Sequence, residues 1–125
     1  MSGLLDTSVF VARESGRPLA SLPDEGRVSV ITVAELRIGV LVTDDASIRA
    51  QRLRTLSEVE ALEPLPVDDA AARAFAEIAA DSRRRGTRPK ILDALIAATA
   101  LSRALPVYTQ DADFEDMVGV EVVRV

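Results

Sequence analysis

The chain has 125 residues, of which 48% are hydrophobic and 28% are charged, a composition typical of one globular domain, expected here over residues 1–125. Cysteine and histidine are both absent, which excludes disulfides, thiolate or histidine metal sites, and Ser-His-Asp or Cys-His catalysis. The net charge of −5 argues against a protein that binds nucleic acid through a generally basic surface.

The first half of the chain alternates short apolar runs with helical patterns. In chain order it predicts a strand at 3–6, a helix at about 8–14, a short helical turn from Pro18 to Pro23, and a buried strand at 28–31 (VSVI). A helix follows, for which Thr32 is the expected cap, with Glu35 three residues later as in a capping box.

The second half carries the longer helical patterns. It predicts helices at about 44–60 and 68–86, a proline-containing edge strand around 62–67, a helix at 89–104 that starts at Pro89, and strands at 106–109 (PVYT) and 120–125 (VEVVRV). This alternation predicts an α/β fold with a mostly parallel sheet flanked by helices, in which sites form beyond the carboxyl ends of the strands.

Three acids follow predicted strands. Asp6 lies at the carboxyl end of the first strand, and Asp111 and Asp113 follow the 106–109 strand in TQDADF. If these two strands are neighbours, their acids meet at one edge of the sheet. The position of these acids therefore predicts an acidic site there.

Two further acids interrupt the apolar faces of helices. Glu35 shares its face with Ile31 and Ile38, and Asp93 shares its stripe with Ile96 and other apolar residues. A carboxylate on a packed helix face costs several kcal/mol unless it is protonated, paired or bound to a cation. Both positions therefore favour a functional role.

The repulsion within such a group of acids indicates a bound cation. Two carboxylates about 4 Å apart repel by roughly 4 kcal/mol at an effective dielectric near 20. A cluster of four or five would rival the roughly 5 to 15 kcal/mol stability of a whole domain. Oxygen ligands without histidine or cysteine point to Mg²⁺ or Mn²⁺ as the ion that resolves the conflict.

Most of these acids also have a purely structural interpretation. Asp6 alone can be an N-cap, Glu35 can complete the capping box, and Asp111 or Asp113 can be turn residues. Asp93 is the hardest to explain in this way, because aspartate has a poor helix propensity and this one faces apolar neighbours.

Hydroxyl and basic side chains near the acids have two interpretations as well. Thr7, Ser8 and Thr109 suit caps or turns, and they also suit groups that orient carboxylates. Residues 83–90 contain five basic side chains and no acid. They form either a solvated helix end, where cations are favoured, or a nucleic-acid contact. The basic residues are Arg83, Arg84, Arg85, Arg88 and Lys90.

Taken in order, four motifs resemble those of the PIN-domain nucleases, and specifically the VapC-type toxins of bacterial toxin-antitoxin pairs. They are DTS after the first strand, TVAEL, LDALIAATAL on a late helix, and TQDADF after the PVYT strand. The resemblance covers residues 4–125. It implies a PIN fold, an acidic Mg²⁺ or Mn²⁺ pocket, and endonucleolytic cleavage of structured RNA such as transfer or ribosomal RNA.

The resemblance also implies residue roles. Asp6, Glu35 and Asp93 match the first three acids of the family, and Asp111 is preferred over Asp113 as the fourth because it lies nearer the strand end. These acids are the expected metal ligands, and the ion would polarise the scissile phosphate and activate the attacking water.

Basic residues near the last helix are expected to hold the RNA backbone. The candidates are Arg84, Arg85, Arg88 and Lys90, with Arg13 approaching the pocket from the first helix. The family further implies inhibition by a cognate VapB-type antitoxin, a toxin homodimer and a toxin-antitoxin hetero-oligomer. Without a signal peptide, or an apolar run of the roughly 20 residues that span a bilayer, the expected location is the cytoplasm, with no membrane contact.

Two alternatives belong to other functional classes. A phosphoacceptor receiver domain is also an acidic, Mg²⁺-binding α/β unit of similar size, but it requires adjacent acids after its first strand and a lysine after a late one. Here the first strand ends in the single Asp6, and the only lysine, Lys90, begins a helix. A non-catalytic protein-binding module, in which the acids serve structure or partner contact, is the second alternative.

Overall fold

Four short strands and five helices alternate along the chain in the computed structural model, which describes residues 1–125. The strands are β1 Ser2–Leu5, β2 Glu25–Arg27, β3 Val107–Thr109 and β4 Val122–Arg124. The helices are α1 Thr7–Glu14, α2 Val30–Val42, α3 Ala46–Glu60, α4 Asp69–Arg84 and α5 Ile91–Ser102, and a 3₁₀ turn spans Ala112–Phe114. None of these helices has both the length and the apolar character needed to cross a bilayer.

The four strands form one parallel sheet in the order β2-β1-β3-β4. The predicted α/β fold with a parallel sheet between helices is therefore confirmed. Leu4 pairs with Val107, and Leu5 pairs with Tyr108, so β1 and β3 are neighbours, as the acid positions required. Their carboxyl ends point in the same direction and place the residues that follow at one edge of the sheet.

Alternating residues of β1 and β3 divide the core into two layers. Leu4 and Val107 face α4 and α5 in a cluster that contains Ile78, Ile96 and Phe114. Leu5 and Tyr108 face the opposite side, where α1, α2, α3 and the segment before α2 supply the cluster Phe10, Val28, Leu36, Val40, Leu56 and Val59. Successive side chains of a strand point to opposite faces, so a strand covered on both sides is apolar throughout.

The strand predicted at 28–31 is wrong in its position. The second strand is Glu25–Arg27, and Ser29 is the N-cap of α2, since its side chain accepts a hydrogen bond from Ile31 N at 3.0 Å. Val30 and Ile31 are thus already helical. Thr32 lies in the first turn of α2 and is fully buried, so it is not the cap and the expected capping box does not form.

Three further differences from the predictions involve segments that contain prolines. No helix forms from Pro18 to Pro23, because the residues before both prolines are biased to extended backbone and the segment is too short to nucleate a helix. The segment 62–67 makes only one bridge, from Leu65 to Ser29, since its flanking prolines have no N–H to donate. The last helix begins at Ile91 with Lys90 as N-cap, so Pro89 lies outside it.

Candidate active site

Asp6 is fixed at the point where β1 passes into α1. It is the N-cap of α1 and is 3% exposed. Its Oδ2 atom accepts hydrogen bonds from Ser8 N at 3.3 Å, Ser8 Oγ at 2.7 Å and Thr109 Oγ1 at 2.9 Å. All three bonds fall on one carboxylate oxygen. The orientation of Asp6 is therefore set by the protein, while Oδ1 receives no hydrogen bond from it.

Ser8 and Thr109 join the ends of β1 and β3. Their hydroxyl oxygens lie 3.2 Å apart. Ser8 Oγ also accepts a hydrogen bond from Gln110 N at 3.0 Å, and Thr109 Oγ1 accepts one from Asp111 N at 2.9 Å. Both hydroxyls thus contact Asp6 and the backbone that carries Asp111. This is the placement expected of residues that orient carboxylates.

Glu35 lies in the second turn of α2 and is half-buried. Thr7 Oγ1 is 2.7 Å from Glu35 Oε1 and 3.0 Å from Thr32 Oγ1. Sequence reasoning assigned Thr32 to a cap and missed its place beside Thr7. The only signal in the sequence was a threonine about one turn before an acid.

Asp93 is brought together with the two acids that follow β3. One oxygen from each of Asp93, Asp111 and Asp113 lies within 4.8 Å of the other two. Asp93 is in the first turn of α5, and the residues on its stripe, Ile96 and Ala97, are fully buried. The helix is therefore held by its apolar face, and this fixes the backbone of Asp93.

Asp111 and Asp113 differ in their surroundings. Asp111 is half-buried and caps the 3₁₀ turn, since its Oδ1 accepts a hydrogen bond from Asp113 N at 3.0 Å. Asp113 is exposed, and its Oδ2 lies 2.7 Å from Lys90 Nζ. This contact with Asp113 raises the pKa of Lys90. The charge of Asp113 is thus largely balanced by a lysine.

Burial and then the carboxylates of Asp6, Asp111 and Glu35, in that order, together raise the pKa of Asp93 to about 6, while Lys90 opposes them. The negative charges around Asp93 therefore come from both strand ends and from α2. We call Asp6, Glu35, Asp93, Asp111 and Asp113 the acid group. Asp6 and Glu35 act on Asp93 through their charges but lie outside the tighter cluster of three.

This donor set suits a hard divalent cation. Mg²⁺ binds oxygens at about 2.0–2.1 Å, so two ligands of one ion are at most about 4.2 Å apart. The separations of up to 4.8 Å in the cluster of three reach that range with small side-chain rotations. Every donor is a carboxylate oxygen, and Asp93 has no hydrogen-bonded cation of its own. A cation would remove the repulsion that now raises the pKa of Asp93.

The raised pKa makes a prediction for stability without divalent cations. The carboxyl of Asp93 binds its proton more tightly in the folded state, so the contribution of Asp93 to stability is fully present below about pH 4 and is lost as the pH rises through about 6. In urea unfolding at pH 4 to 8 with a chelator, we expect Asp93→Asn to match the wild type at pH 4. At pH 7 it should exceed it by about 1 to 2 kcal/mol, after allowance for solvent screening. A wild type as stable as the variant at pH 7 would contradict the electrostatic account of the acid group.

The predicted RNA-contacting residues differ in the partners of their side chains. Arg13 pairs with Glu58 of α3 and lies over the Phe10 ring, 5.5 Å from its centroid. The structure therefore does not bring Arg13 to the acid group, and the expected approach from the first helix is not seen. Arg85 pairs with Asp81 at 2.8 Å and donates to the Asp116 carbonyl at 2.7 Å.

The other basic residues of this segment differ in their partners. Lys90 pairs with Asp113, as described above. Arg84 and Arg88 are exposed and make no hydrogen bond or ion pair. Arg83, which belongs to the same basic segment, is likewise exposed and unpaired.

A parallel sheet with an acid group at its carboxyl edge is the arrangement that the motif order predicted for a PIN domain. A family model described as the PIN domain matches residues 3–120, so the chain belongs to the PIN-domain family. Nucleases of this family generally use divalent metal ions, in keeping with the acids found here. The family match decides against the phosphoacceptor receiver.

Individual relatives show which members of the PIN-domain family the chain resembles. The chain is 53% identical over 129 residues to Ribonuclease VapC5 of Mycobacterium tuberculosis (strain ATCC 25618 / H37Rv), covering 99% of this chain and 96% of that protein. It is 46% identical over 100 residues to Ribonuclease VapC8 of Mycobacterium tuberculosis (strain CDC 1551 / Oshkosh), covering 78% and 89%. The predicted resemblance to VapC-type proteins is confirmed.

One solved structure shows the same fold in a complex. The crystal structure of VapBC-5 from Mycobacterium tuberculosis, a member of the VapBC family of toxin-antitoxin systems, matches with a TM-score of 0.89 and 49% sequence identity. The match covers 99% of this chain and 98% of that chain. The chain therefore has the full fold of a protein from such a system.

Proposed function

We propose that this protein is a Mg²⁺- or Mn²⁺-dependent endoribonuclease, the toxin of a toxin-antitoxin pair, which hydrolyses a phosphodiester in structured RNA such as transfer or ribosomal RNA. The observation that carries the proposal is the acid group at the carboxyl edge of a PIN-family sheet. The relative with 53% identity is named a ribonuclease, which supports the reaction class.

Asp6, Glu35, Asp93 and Asp111 are the proposed metal ligands, with Asp113 in reserve for Asp111. The free Oδ1 of Asp6 and the lack of a paired cation at Asp93 support the assignments of these two residues. Asp111 is preferred over Asp113, because Lys90 already balances the charge of Asp113.

The residues around the ligands have positioning roles in this proposal. When bound, the ion would polarise the scissile phosphate and make a water nucleophilic at neutral pH. Ser8 and Thr109 hold Asp6 through its Oδ2, and Thr7 holds Glu35 through its Oε1. Without a cation, Asp93 relieves the repulsion by keeping a proton on its carboxyl up to a pH near 6. No histidine base is needed.

The basic residues next to α5 are proposed to hold the RNA backbone. Arg84 and Arg88 are exposed and free to pair with phosphates, whereas Arg85 and Lys90 would exchange their present carboxylate partners for them. Binding should weaken as salt rises, since each phosphate contact releases counterions.

The proposed protein partners are a VapB-type antitoxin and a second copy of the chain. VapBC-5, which shares 49% of its sequence with this chain in the structural match, is a toxin-antitoxin complex. We therefore propose a homodimer of the toxin within a toxin-antitoxin hetero-oligomer, with an antitoxin segment that covers the acid group.

Incubation of the purified protein with total cellular RNA, followed by sequencing of the new ends, tests the proposal. We expect cuts at a small number of positions in structured RNA, and we expect the cognate antitoxin to suppress them. An RNA pool left intact by a protein that still binds its antitoxin would instead identify a non-catalytic protein-binding module.

A further inference from the structure

A cavity of about 740 Å³ opens between the C-terminal end of α4 and the start of α5. We call it the α4–α5 cavity. One side is apolar, with Phe75, Ala79, Pro89 and Ile91, and the other carries the side chains of Arg83 and Arg88. No acidic residue lines it. Its volume lies in the range of about 300–1,000 Å³ that is typical of small-molecule pockets.

The two arginines of this cavity have no partner within the protein. Most other arginines pair with a carboxylate or a backbone carbonyl, as Arg85 does with Asp81 and Arg103 does with Asp68. Arg83 and Arg88 make neither kind of contact. The cavity is therefore positively charged in a chain whose net charge is −5.

The backbone turn after α4 brings both arginines to the same cavity. Gly86 adopts a positive φ of 71°, and Thr87 N donates to the Ser82 carbonyl at 2.8 Å, which reverses the chain after the last turn of α4. Arg83 approaches from the helix and Arg88 from the segment after the turn. Only glycine adopts this backbone conformation without strain.

The cavity and the acid group both involve residues at the start of α5. Ile91, which lines the cavity, is two residues before Asp93, so the two side chains leave α5 on different sides. Lys90, between the lining residues Pro89 and Ile91, pairs with Asp113. Lys90 therefore links the two, and an RNA strand with one phosphate at the acid group can extend past Lys90 to the cavity.

We infer that the α4–α5 cavity binds a nucleotide of the RNA near the scissile phosphate, an inference that rests on the proposed function. Arg83 and Arg88 pair with its phosphate, and the base stacks on Phe75 or on a guanidinium plane. Unpaired RNA bases are commonly bound by stacking on aromatic rings and arginine planes. A guanidinium also offers a planar fork that matches phosphate oxygens.

Equilibrium binding of a single-stranded RNA oligonucleotide to the Asp93→Asn protein tests the inference without cleavage. Arg83→Gln and Arg88→Gln, added together, should raise the Kd at least about tenfold and reduce the slope of log Kd against log salt by about 1 to 1.5. Phe75→Leu, which keeps an apolar side chain, should raise the Kd about fivefold or more through lost stacking and leave the salt slope unchanged.

A matched control removes the same charge elsewhere. Arg17 and Arg54 are also exposed and unpaired, and they lie outside the α4–α5 cavity. Arg17→Gln with Arg54→Gln should change the Kd by about twofold or less. The melting temperatures of both double-arginine variants should match that of Asp93→Asn, because none of the four arginine side chains makes a hydrogen bond or ion pair within the protein.

The results separate this inference from the proposed function. If the wild type cleaves RNA but the Arg83 and Arg88 substitutions bind RNA as tightly as the control, the cavity inference fails alone. If those substitutions weaken only antitoxin binding, the cavity takes an acidic protein segment and the inference fails. If the wild type cleaves no RNA and Asp93→Asn binds none, both proposals fail together.

Discussion

Replacement of Asp93 by asparagine is expected to reduce RNA cleavage at least about 10³-fold, because it removes a proposed metal ligand and several kcal/mol of charge stabilisation at the reacting phosphate. Asparagine keeps the shape of the side chain, and Ile96 and Ala97 on the same stripe are fully buried and unchanged. Initial cleavage rates at saturating Mg²⁺ provide the measurement. The same variant should be more stable than the wild type in a chelator at pH 7, because burial and neighbouring carboxylates raise the pKa of Asp93 to about 6.

The opposite signs of these two effects distinguish a lost ligand from a misfolded protein. Asp69→Asn is a matched control, since Asp69 is exposed at the start of α4 and pairs only with Arg73. Its cleavage rate should stay within about twofold of the wild type. An Asp93→Asn protein that cleaves at the wild-type rate would exclude Asp93 as a ligand.

Removal of divalent cations with EDTA is expected to abolish cleavage, with a loss of at least about 10³-fold that Mg²⁺ or Mn²⁺ restores. Without a cation the acid group repels an approaching phosphodiester, since two unit charges about 4 Å apart cost roughly 4 kcal/mol at an effective dielectric near 20. Glu35, Asp6 and Asp111 already raise the pKa of Asp93 in this way. Cleavage of a labelled RNA, before and after EDTA and after added Mn²⁺, gives the measurement.

A matched control excludes effects of EDTA on the RNA itself. EDTA loaded beforehand with Mg²⁺ should leave the cleavage rate unchanged, and circular dichroism should show the same helix content in all conditions. Continued cleavage at wild-type rates in excess EDTA would mean that the acids act without a metal. The proposed chemistry would then be wrong even if the protein is a ribonuclease.

The longer helices could be predicted because their apolar positions repeat along one face. The helix predicted at 68–86 is found at Asp69–Arg84, and its buried Ala71 and Ile78 are seven residues apart, or two turns. The strand Glu25–Arg27 could not be predicted in this way. It is a three-residue edge strand without an apolar pattern, and its place in the sheet depends on backbone pairing with β1.

The composition of the acid group was accessible from sequence because each acid follows a strand or interrupts an apolar helix face. The contacts that position these acids could not be predicted from the sequence. Whether Lys90 pairs with Asp113 and whether Thr7 reaches Glu35 depend on packing between distant segments. The pairing of Arg13 with Glu58 of α3 depends on the same kind of packing.

The packing of α5 affects both the stability of the fold and the position of Asp93. Its fully buried alanines, Ala94, Ala97, Ala98 and Ala100, allow close packing against α4 and the sheet. This packing fixes Asp93 in the first turn of α5. In the metal-free protein its carboxylate is repelled there by the neighbouring carboxylates of the acid group. A bound cation would remove this repulsion and stabilise the folded state.

Calorimetric titration of the RNA-free protein with Mn²⁺ at pH 6 tests most directly whether the acid group is a cation site. We expect saturable binding that releases protons, since the pKa of Asp93 is about 6. The affinity should be at least about tenfold weaker in Asp93→Asn and unchanged in Asp69→Asn. Absence of binding to the wild type, or equal binding to all three proteins, would contradict the cation site on which the proposed function depends.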